Sequence, residues 1–244
     1  MDLMYKINKM KLSFKLLLTG LLLSSCANSV ELPEVKSTSL INKEIIKIGN
    51  ESYVISIPDG YDMVSPDKKE YIGDVVNPGQ PWKQEDILKA YISKYIPSSS
   101  KTRFVAYGTS SLLNKNINQS QAVELIDQMS LVISNFSRNQ DQFSQLMQSK
   151  KVREHLISKL GFEVITMRNL NLLHKDTNSI TSSSTLDLRF KNGESYKHHY
   201  AGALIVIDGN VILIAAVDIS NSDKEPTWHK DLVLKLTSEL KALN

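Results

Sequence analysis

The chain has 244 residues, with 29 Lys and Arg against 26 Asp and Glu and a formal net charge of +3. It contains one cysteine and ten scattered glycines. A single thiol excludes a disulfide framework and metal sites built from several thiolates, and the scattered glycines exclude a glycine-rich phosphate loop.

The first 25 residues have the pattern of a secretory signal. Four lysines precede a mostly apolar run at residues 16–23. This run is too short to span a bilayer, which needs about 20 apolar residues, so it indicates a cleaved signal peptide over residues 1–25. Met10 would serve as well as Met1 as the start, and the choice leaves the mature chain unchanged.

The leader closes on Leu23-Ser24-Ser25-Cys26. This segment closely resembles the lipobox of bacterial lipoproteins, in which a diacylglyceryl group is attached to the cysteine thiol and cleavage precedes that cysteine. The resemblance implies a lipid anchor at Cys26 in the cell envelope. Because Ala27 rather than Asp follows, it favours the outer over the inner membrane. The alternative is an ordinary signal peptide cleaved a few residues later, with Cys26 as a small apolar residue.

Cleavage before Cys26 changes the charge of the chain. It removes four lysines and one aspartate, which leaves 219 residues with 25 basic and 25 acidic side chains. The mature chain is therefore neutral and has no run of five like charges, so we expect no nucleic-acid partner. We expect instead a membrane contact through lipidated Cys26 and an envelope protein as partner.

Residues 26–43 are mostly polar and show no sustained period, which is typical of a lipidated tether. Such a tether could hold a domain about 50 Å from the membrane. The alternative for residues 27–42 is an edge strand packed on the domain. Residues 44–244 are predicted to form a single α+β domain, long enough to bury an ordinary hydrophobic core.

The domain is predicted to open with a β-hairpin over residues 44–48 and 52–57, with its turn at Gly49. The stretch 59–81 contains several chain breakers and forms the longest irregular segment outside the tether. Because long loops in compact domains are often functional, this segment is the first candidate for a binding surface. The alternative is variable decoration without a function.

Three helices are predicted in the middle of the chain. Apolar spacing of three and four residues predicts the first over 82–96, ended by Pro97, and a short strand over 102–107 follows it. The second starts at a cap on Asn118 or Ser120 and extends its apolar stripe to residue 147, with a kink or break at residues 137–139. The third covers 152–160 and ends at Gly161.

After Gly161 the apolar period changes to two, which predicts strands over 162–173 and 185–190. The next strand follows a turn at Lys191-Asn192-Gly193. A two-residue turn would set an apolar face against a polar one. A three-residue turn with Gly193 left-handed keeps each face consistent and pairs Leu188 with Tyr196, Leu186 with His198 and Asp187 with Lys197.

The chain is predicted to end with a hairpin and a helix. The strands 200–207 and 211–217 flank Asp208-Gly209-Asn210, and their nearly continuous apolarity places them at the centre of a sheet that is covered on both faces. Pro226 opens the last helix, whose stripe of Trp and Leu runs to the C-terminus.

This order of elements resembles the Mog1/PsbP-like fold, a family of α/β sandwiches that includes bacterial envelope lipoproteins. The resemblance lies in the opening hairpin with Tyr53-Val54-Ile55-Ser56-Ile57-Pro58, a mid-chain helix, a meander around residues 203–217 and a closing helix ending Leu236-Thr237-Ser238-Glu239-Leu240. It implies an antiparallel sheet of about five to seven strands between helices. Members of the family mostly act as accessory or assembly factors, so it also implies binding without catalytic residues.

A search for chemistry assigns no catalytic, cofactor or metal residue. His198 and His199 are adjacent on a strand and point to opposite faces, so they do not readily share a metal; His198 is expected between Tyr196 and Tyr200 on the helix-covered face. The remaining histidines, His155, His174 and His229, are isolated.

Serine motifs are incomplete. The elbow-like segment at 108–112 lacks its second glycine, and two Ser-x-x-Lys matches, at 65–68 and 98–101, lack the accompanying penicillin-binding motifs.

Two functions remain open. The first is a membrane-tethered, non-catalytic binding or assembly module that engages an envelope protein through residues 59–81 or a sheet face. The second is a lipid-anchored envelope hydrolase or small-ligand carrier. A shallow surface with exposed aromatic residues would favour the first, and a deep pocket with convergent polar groups the second.

Overall fold

A computed structural model describes residues 40–64, 87–95, 100–109, 116–141, 162–190, 192–222 and 226–244, and some positions between 145 and 157. The strands in these ranges are β1 (Leu40–Ile48), β2 (Glu51–Pro58), β3 (Tyr61–Met63), β4 (Ile87–Ser93), β5 (Ser100–Thr109), β6 (Phe162–Lys175), β7 (Ser179–Phe190), β8 (Ser195–Ile207) and β9 (Asn210–Ser220). The long helices are α1 (Gln119–Arg138) and α2 (Trp228–Leu243).

The strands form two antiparallel sheets. Seven of them make one sheet in the order β3-β4-β5-β9-β8-β7-β6, and β1 and β2 pair with each other as a separate hairpin. Strands β9 and β8 occupy the middle of the large sheet, which confirms the central position predicted from their apolarity. The α+β class with an antiparallel sheet is confirmed.

Both faces of the large sheet are covered. Helix α1 lies on one face, where Ile126 and Ile133 join a core with side chains of β6, β7 and β8. Helix α2 and the β1–β2 hairpin lie on the other face. The hairpin is fastened to this face by two tyrosines: Tyr107 donates to the Ser56 carbonyl at 2.6 Å and Tyr53 to the Ile207 carbonyl at 3.3 Å.

The predicted turns and registers of the late strands are confirmed. Gly193 has a φ of 86°, in the left-handed region that favours glycine. The pairs Leu186–His198, Asp187–Lys197 and Leu188–Tyr196 follow as expected from the three-residue turn. The hairpin between β8 and β9 turns at Asp208 and Gly209, which both have positive φ.

Helix α1 begins at the predicted cap. The Asn118 side chain accepts from the backbone of Gln121, whose side chain accepts from the backbone of Asn118 in return, which is a capping box. The helix ends at Arg138, at the predicted break. Helical positions at 153, 154 and 157 agree with the helix predicted over 152–160.

The helix predicted over 82–96 is wrong, because this part of the chain forms strand β4 from Ile87 to Ser93. Its apolar spacing fits a helix, but short apolar runs do not separate helix from strand. The strand forms because β4 pairs with β3 on one side and with β5 on the other. Ala90 and Tyr91 are buried on opposite faces of the sheet.

Other boundaries differ in extent. Strand β1 starts at Leu40, four residues before the predicted start of the domain, and β7 starts at Ser179 rather than at residue 185. The Ser-x-x-Lys segment at 65–68, Ser98 of the second such segment, His155 and Gly161 lie outside the described residues. No helix among the described residues is long and apolar enough to span a membrane.

Candidate functional site

A row of polar side chains crosses the large sheet beneath the first turn of α2. The row runs from Arg103 on β5 through Asp218 on β9 and His199 on β8 to Thr185 on β7, and each residue pairs directly with the next across adjacent strands. Directly paired residues of antiparallel strands point to the same face. The register of the sheet therefore brings together four polar side chains from four segments that are distant in sequence.

Asp218 is the centre of this row. It is fully buried, and its Oδ2 accepts from Ser100 Oγ at 3.0 Å, Arg103 Nε at 2.7 Å and Trp228 Nε1 at 2.8 Å. The guanidinium of Arg103 also lies 4.8 Å from the centre of the Trp228 ring, in position for a cation–π contact. Because a buried carboxylate is costly unless it is paired and hydrogen-bonded, this arrangement stabilises the charge and links β5, β9 and α2. We call Ser100, Arg103, Asp218 and Trp228 the Asp218 cluster.

His199 lies beside the Asp218 cluster between two hydroxyl groups. Its Nδ1 is 3.1 Å from Thr185 Oγ1 and its Nε2 is 3.2 Å from Ser220 Oγ. All three side chains are at most 2% exposed. Each ring nitrogen therefore has a partner inside the protein, and the hydroxyls can serve either tautomer.

His229, the second residue of α2, completes the site. Its ring lies 6.3 Å from that of His199 and 5.9 Å from that of Trp228, and it is fully buried. In the part of the chain that the structure describes, neither ring nitrogen of His229 has a hydrogen-bond partner. Burial, reinforced by the positive charges of neighbouring side chains, lowers the pKa of His229 to about 3, so this imidazole is neutral at ordinary pH.

A tyrosine also lies near this row, Tyr61 on the edge strand β3. Burial raises the pKa of its hydroxyl far above the ordinary value of 10, with the Arg103 charge acting in the opposite direction. Tyr61 is therefore a neutral hydrogen-bonding group near the Asp218 cluster.

The arrangement limits the chemistry that the site can perform. Ser220 and His199 stand in the relation of a nucleophile and a general base. However, Nδ1 of His199 faces a hydroxyl of Thr185 rather than a carboxylate, and Asp218 Oδ2 is occupied by its three donors. Among the described residues, no group of three or more His, Cys, Asp or Glu side chains is placed to hold a metal ion.

The side chains of His198 and His199 are separated by strand β8, as expected from the sequence. His198 and His199 point to opposite faces of β8, and both are 1% exposed. The face of His199 is covered too, by α2, so both faces are buried. Burial lowers the pKa of His198 to about 3.

The other candidate residues from the sequence lie outside the polar row or outside the described residues. Cys26 and most of the segment 59–81 lie outside the described residues; residues 59–64 of that segment form the end of the β2–β3 turn and strand β3. Gly108 and Thr109 end β5, where the Thr109 hydroxyl donates to the Val211 carbonyl at 2.9 Å.

The sequence reasoning missed Asp218, Arg103 and the role of His229. One signal was present for Asp218: it is an acidic residue directly after the apolar run 211–217, in a strand predicted to be buried on both faces. Because Asp is almost never fully buried unless it is paired, such a residue implies a buried cationic partner. Which residue supplies the cation depends on strand order, which the local pattern does not show.

No protein-family model and no curated protein matches the chain. Among solved structures, it is similar to the Ran-binding protein Mog1p of Saccharomyces cerevisiae, with 8% sequence identity, a TM-score of 0.37 and coverage of 83% of this chain and 95% of that one. A mutant of the protein Mog1 gives 7% identity and a TM-score of 0.37, with coverage of 82% of this chain and 95% of that chain. These TM-scores are low, and the proposals below rest on the residues of this chain.

Proposed function

We propose that this chain is a lipid-anchored bacterial envelope protein whose single domain acts as a non-catalytic binding or assembly module. The observation that carries the location is the leader with Leu23-Ser24-Ser25-Cys26. In this proposal residues 1–25 are removed, Cys26 receives the lipid, and the domain faces the periplasm from the outer membrane. Two or more acyl chains, at about 0.8 kcal/mol per buried methylene, hold a soluble domain stably at a bilayer.

The burial of the polar row supports a non-catalytic role. Asp218, His199 and Ser220 are at most 2% exposed, and most of their polar atoms bond to one another or to neighbouring side chains. A catalytic group must reach its substrate within hydrogen-bond distance. These three side chains are buried beneath α2, so they are better suited to holding the helix on the sheet.

Exposed apolar side chains at one edge of the sheet support the binding role. Met63 on β3 is 51% exposed and Tyr95, just after β4, is 41% exposed. The Tyr95 ring packs against Gly60, close enough that a Cβ there would approach it to 2.8 Å. An accessible aromatic packed against the start of segment 59–81 is a suitable anchor for an envelope protein partner.

The anchor is tested by Cys26→Ala. We expect the variant to escape processing by the lipoprotein pathway and to carry no fatty-acid label, while the parent chain is labelled and fractionates with membranes. Retained fatty-acid labelling of the variant would refute the anchor.

The binding surface is tested by a photo-crosslinking amino acid placed at Met63, and in a second variant at Tyr95, in intact cells. The matched control position is Leu131, which is 63% exposed on α1, on the opposite face of the sheet. We expect one discrete protein adduct from position 63 that is absent from position 131. If neither position 63 nor 95 gives a protein adduct while a small molecule copurifies with the domain, the binding-module proposal should be dropped.

A second candidate, a lipid-anchored hydrolase, is favoured by one contact. Ser220 Oγ lies 3.2 Å from His199 Nε2, the geometry of a serine activated by a base. This candidate predicts that a fluorophosphonate probe labels the protein and that Ser220→Ala abolishes the label. A parent chain that remains unlabelled after long exposure would exclude it.

A further inference from the structure

The basic and acidic residues of the β1–β2 hairpin lie on opposite faces. On β1, Lys43, Ile45 and Lys47 are exposed, whereas Ile46 and Ile48 are 2% and 3% exposed against the core. Successive residues of a strand point to opposite faces, so the two buried isoleucines fix the direction of the other three. The lysines and Ile45 therefore form a surface that cannot rotate into the core without exposing Ile46 and Ile48.

The second strand adds no charge to this surface. In the register of the hairpin, Ile45 pairs with Val54 and Lys47 with Ser52. We call Lys43, Ile45, Lys47, Ser52 and Val54 the outer hairpin face. Ile45 at its centre is 60% exposed, with a lysine on each side along the strand.

The acidic residues of the hairpin lie on the opposite face. Glu44 forms an ion pair with Lys89 at 2.9 Å and accepts from the Tyr91 hydroxyl at 3.1 Å. Glu51 pairs with the buried Ile48 and so shares its side of the hairpin. Among the described residues, the carboxylate of Glu239 on α2 borders the outer hairpin face, and it accepts from Ser56 at 2.7 Å. The outer hairpin face is thus basic and apolar, although the mature chain is neutral.

The number of residues between Cys26 and β1 limits how far the outer hairpin face can lie from the lipid anchor. Strand β1 begins at Leu40, and 14 residues, 26–39, lead from Cys26 to it. With a lipid on Cys26, these residues can place β1 no more than about 50 Å from the bilayer, and β1 is the first described strand after the anchor. A lysine near an anionic bilayer is attracted to it, and an exposed isoleucine gains by entering the interface.

We propose that the outer hairpin face lies on the anionic phospholipid headgroups of the membrane in which Cys26 is anchored. The proposal rests on the lipid anchor proposed above. Lys43 and Lys47 contact the headgroups, and Ile45 enters the interface between them. Because the hairpin covers the α2 side of the sheet, this orientation turns α1 away from the bilayer.

The proposal is tested on the full lipidated chain in vesicles of phosphatidylethanolamine with and without phosphatidylglycerol. In the lipidated protein Cys26 carries the lipid on its sulfur, so one introduced cysteine is the only thiol available for a fluorophore. Ser52→Cys places the fluorophore on the outer hairpin face, and Asn135→Cys, an exposed position of α1, is the matched control. Lipids with a quencher on the headgroup report contact.

In vesicles that contain phosphatidylglycerol, we expect strong quenching at position 52 and little at position 135. Without phosphatidylglycerol, quenching should be weak at both positions. The difference in quenching between the two positions should fall at high salt. Replacing both lysines in Lys43→Gln/Lys47→Gln should lower the ratio of contacting to non-contacting protein about 25-fold, since each lysine contributes roughly fivefold. Ile45→Ser should lower the same ratio at any salt concentration, because it removes apolar contact.

Equal quenching at positions 52 and 135 in vesicles containing phosphatidylglycerol would overturn the proposal. Protection of position 52 that requires added envelope proteins would also overturn it, and would make the outer hairpin face a protein-docking surface. Co-flotation with the vesicles separates this result from a failure of the anchor. Chains that do not float defeat the proposed lipid anchor and this inference with it, whereas chains that float with equal quenching defeat this inference only.

Discussion

Helix α1 begins at residues that hydrogen-bond to each other, whereas α2 begins at residues that bond to the sheet beneath it. Asn118 and Gln121 form a capping box with two bonds of 3.0 Å, both within one turn of α1. The corresponding residue of α2, Thr227, makes no side-chain cap bond. Instead, Trp228 donates to buried Asp218. The start of α1 is therefore determined by local sequence, and the start of α2 by the tertiary fold.

The largest effect is expected from Asp218→Ala. This change removes the acceptor shared by Trp228, Ser100 and the partly buried Arg103, and it leaves the Arg103 charge without its buried partner. Breaking a buried ion pair from one side costs about 3 to 5 kcal/mol. We expect a loss of that size in the free energy of unfolding, measured by urea titration. A Trp82→Phe background leaves Trp228 as the sole tryptophan, and its emission should shift to the red.

Asp218→Asn is the matched control for this prediction. It keeps an oxygen acceptor but removes the charge, so it should cost less than Asp218→Ala. Combined with Arg103→Ala, Asp218→Ala should cost clearly less than the sum of the two single changes. A loss below about 1 kcal/mol for Asp218→Ala would mean that the cluster does not hold the start of α2.

Acid should weaken the structure through its buried histidines. The pKa of His229, at the start of α2, and that of His198, on the other face of the sheet, are lowered from 6.5 to about 3. The folded state therefore binds fewer protons than the unfolded state, and stability is lost as the pH falls from 6.5 towards 3. Between pH 6.5 and 5.5 the two residues together should cost about 2 kcal/mol, measured by urea titration at each pH. The depressed pKa of Asp176 acts only below 3.8, outside this interval.

His229→Leu isolates the contribution of α2. Neither ring nitrogen of His229 has a hydrogen-bond partner in the described part of the chain, so the substitution sacrifices no described bond. The variant should lose about half of the pH dependence between 6.5 and 5.5. An unchanged dependence would show that His229 is not the group that titrates.

Asn118→Ala should have a smaller and more local effect. It removes the side chain that caps the Gln121 amide, which costs about 1 kcal/mol at helix starts. Ser120→Ala is the control, since Ser120 is exposed in the first turn and was the other cap that the sequence allowed. Hydrogen exchange should speed up in the first turn of α1 and not in α2. Equal losses for the two variants would contradict the capping box.

The difference between the helices explains what the sequence could predict. The capping motif, Gly193 and the apolar run 211–217 act within a few residues of themselves, so the start of α1, the β7–β8 register and the central strands were predictable. Strand β4 was mistaken for a helix because its apolar spacing fits both structures and only pairing with β3 and β5 distinguishes them. The polar row is also non-local: Arg103 and Asp218 are 115 residues apart and meet only because β5 pairs with β9.

The smallest effect is expected from Thr227→Ala, and it tests the comparison most directly. Thr227 has φ −97° and ψ −23°, a helical conformation rather than the extended one of a capping residue. Its contribution to the helix is its backbone carbonyl, which accepts from the Lys230 amide at 3.0 Å and which alanine retains. We therefore expect a change below about 0.5 kcal/mol in the free energy of unfolding. Trp228→Phe should cost more, since it removes the Nε1 donor to Asp218. If Thr227→Ala instead matched Asn118→Ala while Trp228→Phe had no effect, the start of α2 would be locally capped after all.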